Sequence, residues 1–131
     1  MNAYKLFVLD VGLLGAMSEL PAESILEGND IFVEFKGALT EQYVLQQLIS
    51  DTPYTPYYYG NEKATFEQDF LVQKAKSIVP IEVKAEQNIR SHSLKTYCEK
   101  FQPEEAVRFS TLKYKEQEWM VNIPLYAVCN L

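Results

Sequence analysis

The chain has 131 residues, 47% of them hydrophobic, 13% aromatic and 23% charged, with a formal net charge of −6. That is one domain's length, enough to bury a core without metal or disulfide staples. It is too rich in aliphatic and aromatic residues for a disordered or low-complexity chain. Two cysteines, Cys98 and Cys129, are too few for a disulfide framework and point to a reduced, cytoplasmic setting.

Residues 1–72 hold 3 basic and 11 acidic residues, whereas Lys74, Lys76, Lys84, Arg90, Lys95 and Lys100 face only Glu82, Glu86 and Glu99 in residues 73–100. A strongly nucleic-acid-binding chain is basic overall, which this one is not. One basic stretch nevertheless sits inside an acidic chain.

The stretch from Leu6 to Met17 is broken by Asp10 and too short to span a bilayer. It also lacks the basic lead of a signal peptide. Residues 5–10 (KLFVLD) read as a buried strand and 11–18 as a short helix ending before Pro21. A core strand with so little lead-in suggests a piece of a longer polypeptide. Residues 19–29 read as a loop. A long helix is expected over 30–50, capped by Asn29 or Asp30, with Ile31, Phe35, Ala38, Leu39, Leu45 and Ile49 on one apolar stripe. Residues 56–60, 66–72 and 78–85 read as strands, the last two joined closely enough for an antiparallel hairpin. A helix over 91–101, starting near Ser91 or Ser93, precedes strands at 105–110 and 118–123, and Pro124 opens a final turn or helix. The alternation gives an α/β domain, residues 1–131, with a mixed central sheet flanked by helices.

The hairpin carries the chemistry. Alternation puts Glu67, Asp69 and Leu71 on one face of the first strand, and Pro80, Glu82 and Lys84 on one face of the second. A turn near Ala75 sets Asp69 opposite Glu82 and Glu67 opposite Lys84. Carboxylates facing each other across about 5 Å repel by roughly 3 kcal/mol at an effective dielectric near 20. A shared proton, a nearby cation or a bound metal must offset this, and Mg²⁺ suits oxygen-only sites. On the long helix Glu41 falls at the edge of the apolar stripe, where an acid needs a partner. If that helix packs on the face of Asp69 and Glu82, Glu41 completes an acidic cluster.

A carboxylate on one strand, Glu-x-Lys on the next and a Glu on a preceding helix resemble the PD-(D/E)XK nuclease superfamily. Here the pattern is Glu41, Asp69 and Glu82-Val83-Lys84. The segments KLFVLDVGLLGAMS, EFKGALTEQYVLQQL, FEQDFLV and VPIEVKA resemble the uncharacterised domain that follows a P-loop ATPase and a winged helix in many bacterial and archaeal proteins. No GxxxxGK[ST] occurs here, so an ATPase partner domain is expected outside this sequence. The literal Pro-Asp of the strand motif is also missing, a common variation in the superfamily.

The resemblance implies a restriction-endonuclease-like core and a metal-dependent nuclease acting on DNA. It implies that Asp69 and Glu82 hold Mg²⁺ or Mn²⁺, with the Val83 carbonyl as an extra ligand and Glu41 assisting. Asp69, Glu82 and Lys84 would form the catalytic set, Lys84 orienting the attacking water and stabilising transition-state charge. Lys74, Lys76, Arg90 and Lys95 would contact the phosphate backbone around the site.

Plain structural roles compete with each of these. Glu67 and Lys84 can form a cross-strand ion pair worth under about 1 kcal/mol. Glu41 can face solvent, and the acidic set can be a relic in a regulatory or partner-binding domain. His92 reads as a surface residue, Trp119 as core, and Tyr54, Tyr57, Tyr58 and Tyr59 as a half-buried aromatic segment rather than base-stacking groups. Cys98 and Cys129 read as inert.

Overall fold

Two runs of alternating apolar residues meet at a tight turn and form a hairpin. Strand β2 (Gln68–Lys74) pairs antiparallel with β3 (Ser77–Lys84), with Phe70 opposite Ile81 and Lys74 opposite Ser77. The two-residue turn between them has positive φ at Ala75 (52°), the pattern of a type II′ turn. The computed structural model describes residues 4–21, 23, 30–60, 66–85 and 90–131.

The other elements extend this hairpin into a six-stranded mixed sheet, order β1-β2-β3-β4-β6-β5. Strand β1 (Tyr57–Tyr59) adds antiparallel to β2, with a register shift between Tyr57 and Tyr59. Strands β4 (Val107–Ser110) and β6 (Val121–Pro124) run parallel to β3. Parallel neighbours need a crossover, and the helix here called α3 (His92–Phe101) provides the one from β3 to β4. A two-residue edge strand, β5 (Lys115–Glu116), pairs with β6; the sequence pattern gave no sign of it. A 3-10 helix, Leu125–Asn130, follows Pro124.

Each face of the sheet has its own core. Helix α2 (Asp30–Asp51) lays Val44 and Leu48 against Phe70, Val72, Val79, Ile81, Val107 and Phe109. On the other face Leu94 of α3 meets Ala106 and Met120. One helix per face is the arrangement expected from the sequence.

The long helix is turned relative to its expected stripe. Ile49 is 63% exposed, Phe35 and Ala38 are exposed too, and Gln42 is buried. Val44 and Leu48 point roughly 140° away from the Phe35–Ile49 line at 100° per residue. The Gln42 and Gln46 side of α2 instead meets the N-terminal segment and helix α1 (Val11–Met17). The Ile31 side chain lies outside the described residues, as do Asn29 and most of the 19–29 loop.

Residues 5–10 are not a strand. They pair with no strand, and Leu6 is 86% and Leu9 89% exposed. Their backbone hydrogen bonds are met by glutamines of α2 instead of a neighbouring strand. Val8 N–H donates to Gln42 Oε1 (3.0 Å), Gln42 Nε2 donates to the Val8 carbonyl (2.8 Å), and Val11 N–H donates to Gln46 Oε1 (3.0 Å). A buried primary amide offers a donor and an acceptor side by side, so it can stand in for one step of a β-ladder. Phe7 tucks inward onto Phe70, ring centroids 5.8 Å apart.

Candidate functional site: Asp69, Glu82, Lys84 and their cations

Glu82 lies on the α3 face of β3, in register with Arg108 of β4, which is in register with Asn122 of β6. All three are buried. Glu82 Oε1 accepts from Lys84 Nζ at 3.0 Å, whereas its Oε2 has no hydrogen-bond partner among the described residues. Arg108 Nε donates to Asn122 Oδ1 (2.8 Å), and a terminal guanidinium nitrogen donates to Ser91 Oγ (3.2 Å) at the start of α3. Burial pulls the Arg108 guanidinium below its ordinary pKa, and the negative charge of Glu82 opposes that pull.

The paired β2–β3 register ends at Phe70 opposite Ile81, one step short of the Asp69–Glu82 pairing read from the sequence. The Asp69 side chain bonds across the pair: its Oδ2 accepts from Val83 N–H at 2.8 Å. Its Oδ1 lies 3.6 Å from Lys5 Nζ. Lys84 pairs with Glu82 and not with Glu67, whose carboxylate instead accepts from the Tyr58 hydroxyl. The plain Glu67–Lys84 ion pair is therefore not what the hairpin forms.

Glu41 meets Asp69 through Lys5, and among the described residues no cluster of three acidic side chains forms with Glu82. It bonds Lys5 Nζ at 2.5 Å, with its side chain 21% exposed. Nor is it a solvent-facing helix residue. Burial pushes the Glu41 carboxyl above its ordinary pKa; Lys5 pulls it down, and Asp69 and Glu67 push with burial. For Lys5, burial pulls the ammonium down, but the Glu41 bond and the charges of Glu41 and Asp69 outweigh it and leave its pKa raised. The pair is asymmetric because one ammonium answers two acids. The Tyr58 ring covers the same ammonium, 5.1 Å from its centroid.

Among the described residues no three histidine, cysteine or acidic side chains are grouped to hold a metal. Glu82 keeps one buried carboxylate oxygen without a partner, whereas the Asp69 oxygens are engaged by Val83 N–H and by Lys5. Glu41 is likewise held by Lys5.

The basic residues do not ring this site. Lys74 pairs with Glu105 (3.0 Å) and Lys76 is exposed at the hairpin turn. Both lie at the far end of β3 from Lys84, roughly 25 Å away at strand rise. Arg90 is exposed just before Ser91, and Lys95, one turn into α3, lies 3.9 Å from Glu99. Proximity in sequence failed here because a strand carries its two ends apart.

Other assignments resolve simply. His92 is exposed at the first position of α3. Trp119 is 37% exposed on a loop and is not core. Tyr59 belongs to a ring cluster with Phe66, Tyr97 and Phe101, whereas Tyr57 is 61% exposed. Burial pushes the Cys98 thiol up, away from thiolate chemistry. Lys5, Arg108 and Asn122 were not singled out from the sequence. Alternation in 107–110 and 121–124 does place Arg108 and Asn122 opposite apolar neighbours, and that was the available signal.

The family model described as Domain of unknown function (DUF4143) matches residues 36–127. The chain belongs to this family. The DUF4143 match spans Glu41, Asp69, Glu82, Lys84 and Arg108, and leaves Lys5 outside the matched residues. No curated protein and no solved structure matches the chain at a significant level. Among the described residues no helix is long and apolar enough to cross a membrane.

Proposed function

We propose that this DUF4143 domain is a restriction-endonuclease-like, metal-dependent nuclease domain acting on DNA phosphodiesters in the cytoplasm, beside an ATPase domain. The observation that carries the reading is Glu82: buried, one oxygen on Lys84 and the other without a partner among the described residues, on the strand next to Asp69. Asp69 and Glu82 would hold Mg²⁺ or Mn²⁺, with the Val83 carbonyl as an added ligand. The bound ion would lower the pKa of a water and polarise the phosphate. Lys84, already held at Glu82, would orient that water and balance charge on the phosphate oxygens. Arg90 and Lys95, near the α3 start, would meet DNA on this face; Lys74 and Lys76 would meet only a duplex long enough to reach the hairpin turn.

A second reading has its own observation. The outer side of α2 and the N-terminal segment leave Leu6, Leu9 and Ile49 exposed, and α1 buries none of its residues. That favours a regulatory domain that docks on an ATPase and cleaves nothing. Incubation of plasmid and branched DNA with Mg²⁺ or Mn²⁺, wild type against Lys84→Ala, separates the two. Cleavage lost in the variant supports the nuclease. Absence of cleavage by the wild type, with binding to an ATPase fragment, supports the docking domain.

A further inference from the structure

We propose that the cleft between the first half of α2 and the 3-10 helix is a nucleotide subsite, where a planar base lies against Tyr126 and its phosphate meets Lys36. The cleft holds about 480 Å³, a volume usual for small-molecule sites. It lies at the carboxyl ends of two parallel strands: Ser110 ends β4, Pro124 ends β6, and both line it. Open α/β sheets bind their ligands in crevices along that edge.

The lining sets the chemistry of the occupant. Pro124 and Leu125 give the cleft apolar surface, and Tyr43 and Tyr126 add aromatic rings. Tyr126 is 81% exposed and packs on no other ring among the described residues, so its face is open to a partner. Such a face takes any base by stacking. Thr40, Thr111 and Tyr43 bring hydroxyls that donate and accept, which suits the mixed edges of a base or sugar. Lys36 is the cation of this lining. It is half-buried and pairs with no carboxylate among the described residues, and no acid lines the cleft beside it. An anion entering there meets a positive charge without competition. A planar ring joined to an anionic group is the chemistry of a nucleotide, carried by a free mononucleotide or by a DNA strand. The strand as source rests on the DNA reading of the Glu82 site; the cleft itself does not. Lys84 is in register with Ser110, and Ser110 with Pro124. Pro124 therefore lies two strand spacings, about 10 Å, along the sheet edge from Lys84.

The test is calorimetry in EDTA, so that nothing is cut, with thymidine monophosphate and a short single-stranded oligothymidylate as probes. Wild type is compared with Tyr126→Ala, Tyr126→Phe, Lys36→Gln and Lys84→Ala. Tyr126→Ala should weaken both probes about tenfold, the worth of one base stack. Tyr126→Phe should bind as wild type does. Lys36→Gln should weaken binding and lower the slope of log affinity against log salt by about one. If Lys84→Ala weakens the oligothymidylate and spares the monophosphate, the proposal holds with the strand as source. If the two probes bind equally and Lys84→Ala changes neither, it holds with the free nucleotide as source. If the oligothymidylate binds and neither Tyr126→Ala nor Lys36→Gln weakens it, the cleft proposal is overturned and the DNA reading stands. If the monophosphate alone binds and follows Tyr126 and Lys36, the cleft stands and the strand source falls. If neither probe binds, the cleft proposal is overturned, and the plasmid assay decides the nuclease reading separately.

Discussion

Arg108 Nε donates to Asn122 Oδ1 at 2.8 Å, joining two parallel strands beneath α3 through a pair of buried polar side chains. Asn122 is the hub. It also accepts from Ser110 Oγ (2.7 Å) and donates to the Lys113 carbonyl (3.0 Å). It thereby ties the β4–β6 pair to the loop after β4.

Asn122→Ala strands the Arg108 and Ser110 donors in a buried setting. Each stranded group costs about 1–3 kcal/mol, so a loss of about 3 kcal/mol in urea unfolding is expected. A loss under about 1 kcal/mol would mean that water or a rearranged Arg108 satisfies the site.

Asp69 has a structural duty separate from any cation, because it accepts from Val83 N–H. Asp69→Asn keeps an acceptor and should fold nearly as well as wild type. Asp69→Leu leaves the Val83 N–H without its partner and should cost about 1–3 kcal/mol. Equal stability of the two variants by denaturant titration would remove this duty from Asp69.

Glu41 gives a pH signature. Its folded-state pKa lies above the unfolded value, so the folded state binds the proton more tightly. Its contribution to stability is full below the unfolded pKa and is lost as pH rises through the folded one. Wild type should therefore gain on Glu41→Gln as pH falls from neutral toward about 4, the region of the ordinary carboxylate pKa. The check is the difference in Tm between the two proteins over that range; a flat difference contradicts the assignment.

Gln42→Leu keeps the volume but removes the amide that holds Val8. Exchange at the Val8 amide should rise about tenfold, the worth of one good hydrogen bond, while the sheet amides stay protected. Loss of protection across β3 and β4 would show that the segment is integral to the core.

Most of the fold was legible from periodicity. The hairpin register followed from its short turn, and the helix on each side from the length and order of the elements. What periodicity could not show was which side of α2 meets the sheet. The apolar pattern puts Phe35, Ala38 and Ile49 in the core, yet they are exposed, and a buried Gln42 reads as polar on any hydropathy scale. The site shows the same limit. Asp69, Glu82 and Lys84 are local to one hairpin and could be read from alternation. Lys5 reaches Glu41 across 36 residues of sequence, a contact that no local pattern encodes.

Ala75 opens the tight turn of the β2–β3 hairpin with φ at 52°, in the position where a type II′ turn favours glycine. This hairpin also closes through a shorter connection than β5–β6, while β3–β4 and β4–β6 join segments much farther apart in sequence. Local pairings close at the smallest entropic cost and tend to form early. A residue with a side chain at that bend therefore acts as a brake on assembly. Ala75→Gly should raise the refolding rate and leave the unfolding rate nearly unchanged, so that the added stability appears in one arm of the chevron.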